Sequence, residues 1–321
     1  MRKQNYEIFF LIIIILLFLG CERTVVETKV AEDGITIRSF SHTTSEVDQQ
    51  FTIVSAYEGI EEYITQVRND ENSNLRAVFK ETVIIPVWDA CFRDGEYLEL
   101  MMPYFNTVEG YDNLDHLEIQ IGKMKSADLE EQIEEALLKS AQLLPGPDTT
   151  VCVLPRLSTV EFAGVNVGSG KITLLYDDRY ISSNEELGGI VAHEYHHSVW
   201  TSRHYTGQPF YLLKYLIFEG RAEAFKHMLY PNAWLPSYST NNEEEYWNKL
   251  NDFLTIDAYN PQFTNSVMFG GEGFPSYFGY ALGFQIVQDF LENNPILTVE
   301  EWTALNPEEL LERSGFEDRF D

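Results

Sequence analysis

The chain has 321 residues, 44% of them hydrophobic, and a formal net charge of −29. Such a length and apolar content suit one large or two modest domains with a real core, and they exclude a wholly disordered chain. The charge excludes nucleic acid as a partner, because a phosphate backbone would be repelled rather than neutralised. Acidity by itself names no substrate; it fits a solvated surface.

At the N-terminus, Arg2 and Lys3 precede an unbroken apolar run from Ile8 to Leu19, followed by Gly20 and Cys21. A membrane-spanning helix needs about 20 apolar residues, so residues 1–20 read as a signal peptide. Phe18-Leu19-Gly20-Cys21 resembles the bacterial lipoprotein cleavage site, with Phe18 departing from the usual Leu. That resemblance implies a lipidated Cys21, and hence an extracytoplasmic body held on the bacterial cell membrane by its N-terminal lipid. The alternative is an uncleaved short anchor, which also leaves the body outside the cytoplasm. Residues 21–45 are polar and mixed, as expected of a tether, merging into a first strand near Gly34 to Arg38.

Residues 46–148 read as a helical N-terminal region. Ile60, Tyr63, Ile64 and Val67, then Leu75, Val78 and Phe79, have helical spacing broken by the turn-like NDENSN. Leu114 to Lys125 and Ala127 to Leu144 predict two more helices, the second acidic on its outer face and closed by Pro145-Gly146-Pro147. Cys91 and Cys152 lie in apolar, strand-like stretches. They suit either a disulfide in an oxidising compartment or two buried free thiols.

From residue 149 the period shortens. Thr150 to Leu154, Thr159 to Gly164 and Ile172 to Asp177 predict short strands. Gly168-Ser-Gly-Lys171 lacks the full phosphate-loop spacing and runs into a strand, so it reads as a hairpin turn. The strand ITLLYDD is expected to form the edge of a cleft.

Ser183 followed by Glu186 reads as a capping box opening a helix through VAHEYHHSVW. Gly188 and Gly189, one turn before the motif, are suited to close backbone packing. His193 and His197 lie four residues apart, so on a helix both imidazoles leave one face and can grip a single metal ion. Glu194 projects beside them, where it can act as general base toward a water. His196, His204 and His227 are read as non-ligands, with His204 in a polar loop and His227 at a helix C-terminus.

Pro209 is expected in the first turn of the next helix, PFYLLKYLIFEGRAEAFKHMLY. A charge inside so apolar a helix is costly unless paired or metal-bound, which makes Glu219 the candidate third ligand. Glu223, one turn on, can accept an imidazole N–H behind a ligand. The alternative is a solvated face on which Arg221 and Lys226 partner both carboxylates. Helices are expected from Asn242 to Tyr259 and Ser276 to Glu292, then from near Thr298 and Asn306, the last stopped by Gly315. Tyr277 or Tyr280, at the head of the second of these, can donate to a developing oxyanion. Both also suit plain packing.

His193-Glu194-x-x-His197, then 21 intervening residues, then Glu219-Gly-Arg-Ala-Glu223, resembles the gluzincin clan of zinc metallopeptidases. AHEYHH, FEGRAE and GYALGFQIV together resemble, more narrowly, a bacterial family of unknown function described as predicted Zn-dependent proteases. The resemblance covers roughly Val151 to Phe290. It implies an α+β, zincin-like domain over 149–321, with a small mixed sheet packed on the motif helix and a mostly helical C-terminal part. It implies Zn2+ held by His193, His197 and Glu219, Glu194 as base, and a peptide or protein substrate. The Gly-x-Met-Glu-Asn motif of the aminopeptidase branch is missing. Two other expectations stand beside this one, a non-catalytic zinc-binding surface protein and a zinc hydrolase of non-peptide substrates.

Overall fold

In a computed structural model describing residues 26–320, apart from 32–33, 44–47, 107–110, 158–159 and 161, the strand-like stretches assemble into one mixed sheet. Six strands take the order β1-β2-β3-β4-β6-β5. They are β1 (Glu27–Val30), β2 (Thr36–Thr43), β3 (Asp48–Val54), β4 (Thr149–Pro155), β5 (Gly164–Gly168) and β6 (Lys171–Tyr176). β4 lies parallel to β3 on one side and to β6 on the other, and β5 turns back antiparallel on β6. β4 is buried at every position but Thr150, as expected where both faces of a parallel sheet are covered.

Several expectations change here. The signal peptide and Cys21 lie outside the described residues. The stretch read as a tether contributes the whole of β1 and β2, an antiparallel pair on the outside of the sheet. The region read as helical contributes β3, whose alternating Gln49, Phe51 and Ile53 point into the protein while Asp48 and Gln50 stay outside. Because β3 pairs directly with β4, the sheet runs across the boundary expected at residue 149. The strand expected at Thr159 to Gly164 forms later, at Gly164–Gly168, where the Ser169-Gly170 turn folds it onto β6. Gly170 takes the positive φ of 69° that the turn requires. That makes β5 the edge strand, and ITLLYDD an interior one.

The helices Gly59–Asn69 and Leu75–Phe79 follow β3, and Leu114–Lys125 and Leu129–Leu143 precede β4. Cys91 and Cys152 form a disulfide, Cα to Cα 5.9 Å, tying the short Trp88–Cys91 helix to β4. The motif helix runs from Asn184 to His204, so His204 closes that helix and is not in a loop. The next helix begins at Leu212, with Pro209 outside it.

Beyond residue 242 the expected helix is shorter, Glu243–Leu250, followed by two 3-10 turns and a further helix, Pro261–Phe269, that opens on a proline after the cap Asn260. The Phe278–Asn293 helix crosses Leu212–Leu229 backbone to backbone. A Cβ at Gly220 would overlap the Gly283 carbonyl, and one at Gly283 would overlap that of Leu216. This close crossing brings the head of the Phe278–Asn293 helix over the motif.

Candidate metal centre

The motif helix is fixed at several points along its length. The Ser183 side chain accepts the Glu186 N–H at 3.2 Å, half of the expected capping box, while the Glu186 carboxylate accepts the backbone N–H of Trp234. Gly188 abuts the Tyr230 ring and Gly189 abuts Ala233, so the expected close approach comes from the chain following the second helix. Within the motif, Tyr195 donates to the Leu144 carbonyl at 2.9 Å. His196 turns the other way, its Nε2 3.2 Å from Thr303 Oγ1 and its ring stacked on Trp302. Both spacer residues therefore anchor the helix, and His196 is not at the centre.

His193 and His197 face the second helix, where Glu219 meets both. Glu219 Oε2 lies 3.2 Å from His193 Nε2 and 3.1 Å from His197 Nε2, and the two Nε2 atoms are 3.0 Å apart. All three residues are buried. Zinc with bonds of about 2.0–2.1 Å in a tetrahedral site separates its ligand atoms by about 3.3 Å. The observed triangle is close to one face of that tetrahedron. Two imidazole nitrogens and a carboxylate oxygen converging on one point is a donor set suited to a divalent cation.

Charge points the same way. Glu194, Glu219 and Glu223 are all buried, and so is Lys226, whose Nζ lies 2.5 Å from Glu223 Oε2. Lys226 offsets one of three negative charges, and a divalent cation would offset the other two. Burial alone would push the Glu219 carboxyl up, but His197 and His193 outweigh it and hold it at about 2. Burial would lower His193, yet Glu219, Glu223 and Glu194 raise it to about 10, a measure of how strongly this position attracts positive charge. Glu223 Oε1 stands 3.2 Å from His193 Nδ1, at hydrogen-bonding distance but off the axis of a ring N–H.

Glu219 and Glu223 do not lie on a solvated face. Arg221 is buried and points elsewhere, donating to the Leu305 carbonyl at 2.6 Å, and Lys226 meets Glu223 inside the protein.

Glu194 sits between the motif helix and β5. Burial raises its carboxyl above the ordinary value, with His193 and His197 opposing, and the backbone N–H of Asn166 faces it. Gly164 leaves room for it, since a Cβ there would stand 2.8 Å from Glu194 Cγ and 2.9 Å from its Oε1. Tyr280 and Tyr277 separate. The Tyr280 ring lies 6.5 Å from that of His193, nearly parallel, and burial followed by Glu219 raises its phenol well above the usual value. Tyr277 contacts Tyr280 and Trp234. His227 closes the second helix as expected, packed edge-on against Phe284.

Two contributors were not legible in the sequence: Gly164, and Phe218, whose ring stacks on His197 at 3.9 Å; Lys226, expected as a carboxylate partner on a solvated face, meets Glu223 inside the protein. Phe218 precedes Glu219 in a run of apolar residues that gives it no local mark. Gly164 opens β5, where the sequence pattern puts the end of a strand.

Comparison with known proteins places the centre within a matched region. Residues 129–312 match the family described as predicted Zn-dependent protease (DUF2268). The uncharacterized protein YjfC of Bacillus subtilis (strain 168) is 25% identical over 144 residues, 40% of this chain. The match spans 47% of that relative, about half its length. No solved structure matches.

Proposed function

This chain belongs to the family of predicted Zn-dependent proteases, and from that premise we propose that it hydrolyses peptide bonds with His193, His197 and Glu219 holding zinc and Glu194 as general base. The observation that carries the reading is the buried triangle of two imidazole nitrogens and one carboxylate oxygen, with a buried carboxylate next to it on the same helix. Zinc, when bound, lowers the pKa of water to about 7 and polarises a carbonyl oxygen.

The chain's own residues do the rest. Glu194, whose raised pKa suits it to accept a proton, takes one from the attacking water and passes it to the departing amine. Tyr280 keeps its proton because its phenol is pushed up, and it donates to the oxyanion that develops on the carbonyl. Glu223 orients His193 from behind, supported by Lys226. An extended peptide adds antiparallel or parallel to the outer edge of β5, in place of the ITLLYDD strand first expected to serve. Tyr97 N–H already takes the Val167 carbonyl at 2.9 Å and the Asn166 N–H faces Glu194, so Gly164 and Val165 are the stretch left to it.

The body works outside the cytoplasm, anchored by lipid on Cys21. The Cys91–Cys152 disulfide supports an oxidising compartment. Among the described residues no helix is long and apolar enough to cross a membrane. The test of the reaction is Glu194→Gln, which keeps size and hydrogen bonding while removing the base; zinc should stay and hydrolysis should fall.

A further inference from the structure

Resting on the reading above, we propose that the rings of Tyr280, Tyr277 and Trp234 form the side-chain subsite on the His193 side of the centre, and that it takes an aromatic side chain of the peptide. The rings make a continuous ladder from a metal ligand to solvent. Tyr280 lies beside His193, Tyr277 stands edge-on to Tyr280 with centroids 5.8 Å apart, and Trp234 stands edge-on to Tyr277 at 6.1 Å. Phe269 flanks the ladder at 5.9 Å from Tyr280. Trp234 is 58% exposed and Phe269 41% exposed, which is much apolar ring surface to leave in water next to a polar centre.

Two features indicate that these rings are held in place. The Trp234 segment is pinned by the first turn of the motif helix, with the Trp234 N–H on Glu186 Oε1 at 3.0 Å and the Asn232 N–H on Glu185 Oε1 at 3.3 Å. Tyr277 takes φ 55°, a left-handed conformation unfavourable for a bulky side chain. Holding a tyrosine there directs its ring between the other two, a cost that a glycine would avoid.

The chemistry favours an aromatic occupant over a charged one. Lys226 lies under Trp234, 6.0 Å from the ring, but is already engaged by Glu223 and does not offer its charge to an acidic side chain. Rings at 79° to one another present alternating faces and edges, and a further ring completes such an array with more than its area of burial.

The test uses the zinc-loaded protein and three small probes, the hydroxamates of phenylalanine, leucine and alanine, which share a metal-binding group and differ only in the side chain. Binding is measured by calorimetry, so no turnover is needed. The phenylalanine compound should bind about tenfold or more tighter than the alanine compound, with leucine between. Trp234→Ala and Tyr277→Gly should bring phenylalanine to within about twofold of alanine while zinc content and alanine hydroxamate affinity hold. Tyr277→Gly removes the ring at a backbone position that glycine adopts freely, so its fold is preserved. Equal binding of all three probes, leucine equal to phenylalanine, or a preference that survives both variants overturns the subsite. A protein that takes up no zinc overturns the metal reading and the subsite with it, whereas zinc-loaded protein that binds none of the probes overturns the subsite alone.

Discussion

Replacing Gly164 by alanine tests whether β5 sets the position of the base. The added methyl would stand 2.8 Å from Glu194 Cγ, 2.9 Å from Glu194 Oε1 and 2.8 Å from Ile190 Cγ2. Ordinary carbon contacts are about 3.5–4.0 Å, so one or more neighbours must yield by about 1 Å. Ile190 and Glu194 sit one turn apart on a helix pinned by Tyr195 and His196, so the helix resists moving as a body. The Glu194 carboxyl is the freer part and should be displaced. A misplacement of about 1 Å at a reacting group costs about a hundredfold in rate.

Overpacking should destabilise by about 1–3 kcal/mol, partly offset by the 0.4–1 kcal/mol that Gly→Ala gains through the unfolded chain, since Gly164 has no positive φ. The assay is kcat on a cleaved peptide, with zinc content and melting temperature measured on the same preparation. We expect kcat to fall about a hundredfold, the melting point by a few degrees and zinc to remain stoichiometric. Wild-type kcat in a folded, zinc-replete Gly164→Ala protein would refute the placement of Glu194 against β5.

Other outcomes follow from the same geometry. Glu219→Ala should lose zinc while remaining folded, and stoichiometric zinc in that variant would pass the third-ligand role to Glu223. Cys21→Ser should abolish lipid labelling in cells; unchanged incorporation would end the lipoprotein reading. Burial alone would raise the Asp177 carboxyl, but Arg179, hydrogen-bonded to it by side chain and backbone, outweighs burial and holds it below the ordinary carboxylate value. A depressed carboxyl adds stability that is complete above its unfolded value of about 3.9 and is lost as pH falls through its folded value. Asp177→Asn should therefore flatten the acid limb of melting temperature against pH, and an unchanged limb would show that the Arg179 pair contributes nothing.

Much of the centre was legible in the sequence because it depends on local geometry. Four-residue spacing on one helix fixes how His193 and His197 point, and the cost of burying a charge singles out Glu219 in an apolar helix. What escaped depends on contacts between distant segments. The β3–β4 pairing joins residues about a hundred apart, and nothing local in polar DQQFTIV announces a strand beside the core. Gly164 matters only because Glu194 lies against it, and Lys226 reads as a surface residue until its stem is seen crossing Gly189 to reach Glu223. Tyr277 and Tyr280 read alike in the sequence, whereas in the fold Tyr277, with a left-handed backbone, packs against Trp234 and Tyr280 lies beside His193.

The most direct test of the central claim is the rate of cleavage of one peptide by wild type and Glu194→Gln at equal, stoichiometric zinc. Wild type should cleave it, and the variant should be slower by about a hundredfold or more with its fold and metal intact. Equal turnover by the two proteins would mean that Glu194 is not the base. Zinc held by both with no peptide cleaved by either would contradict peptide-bond hydrolysis as the function of this centre.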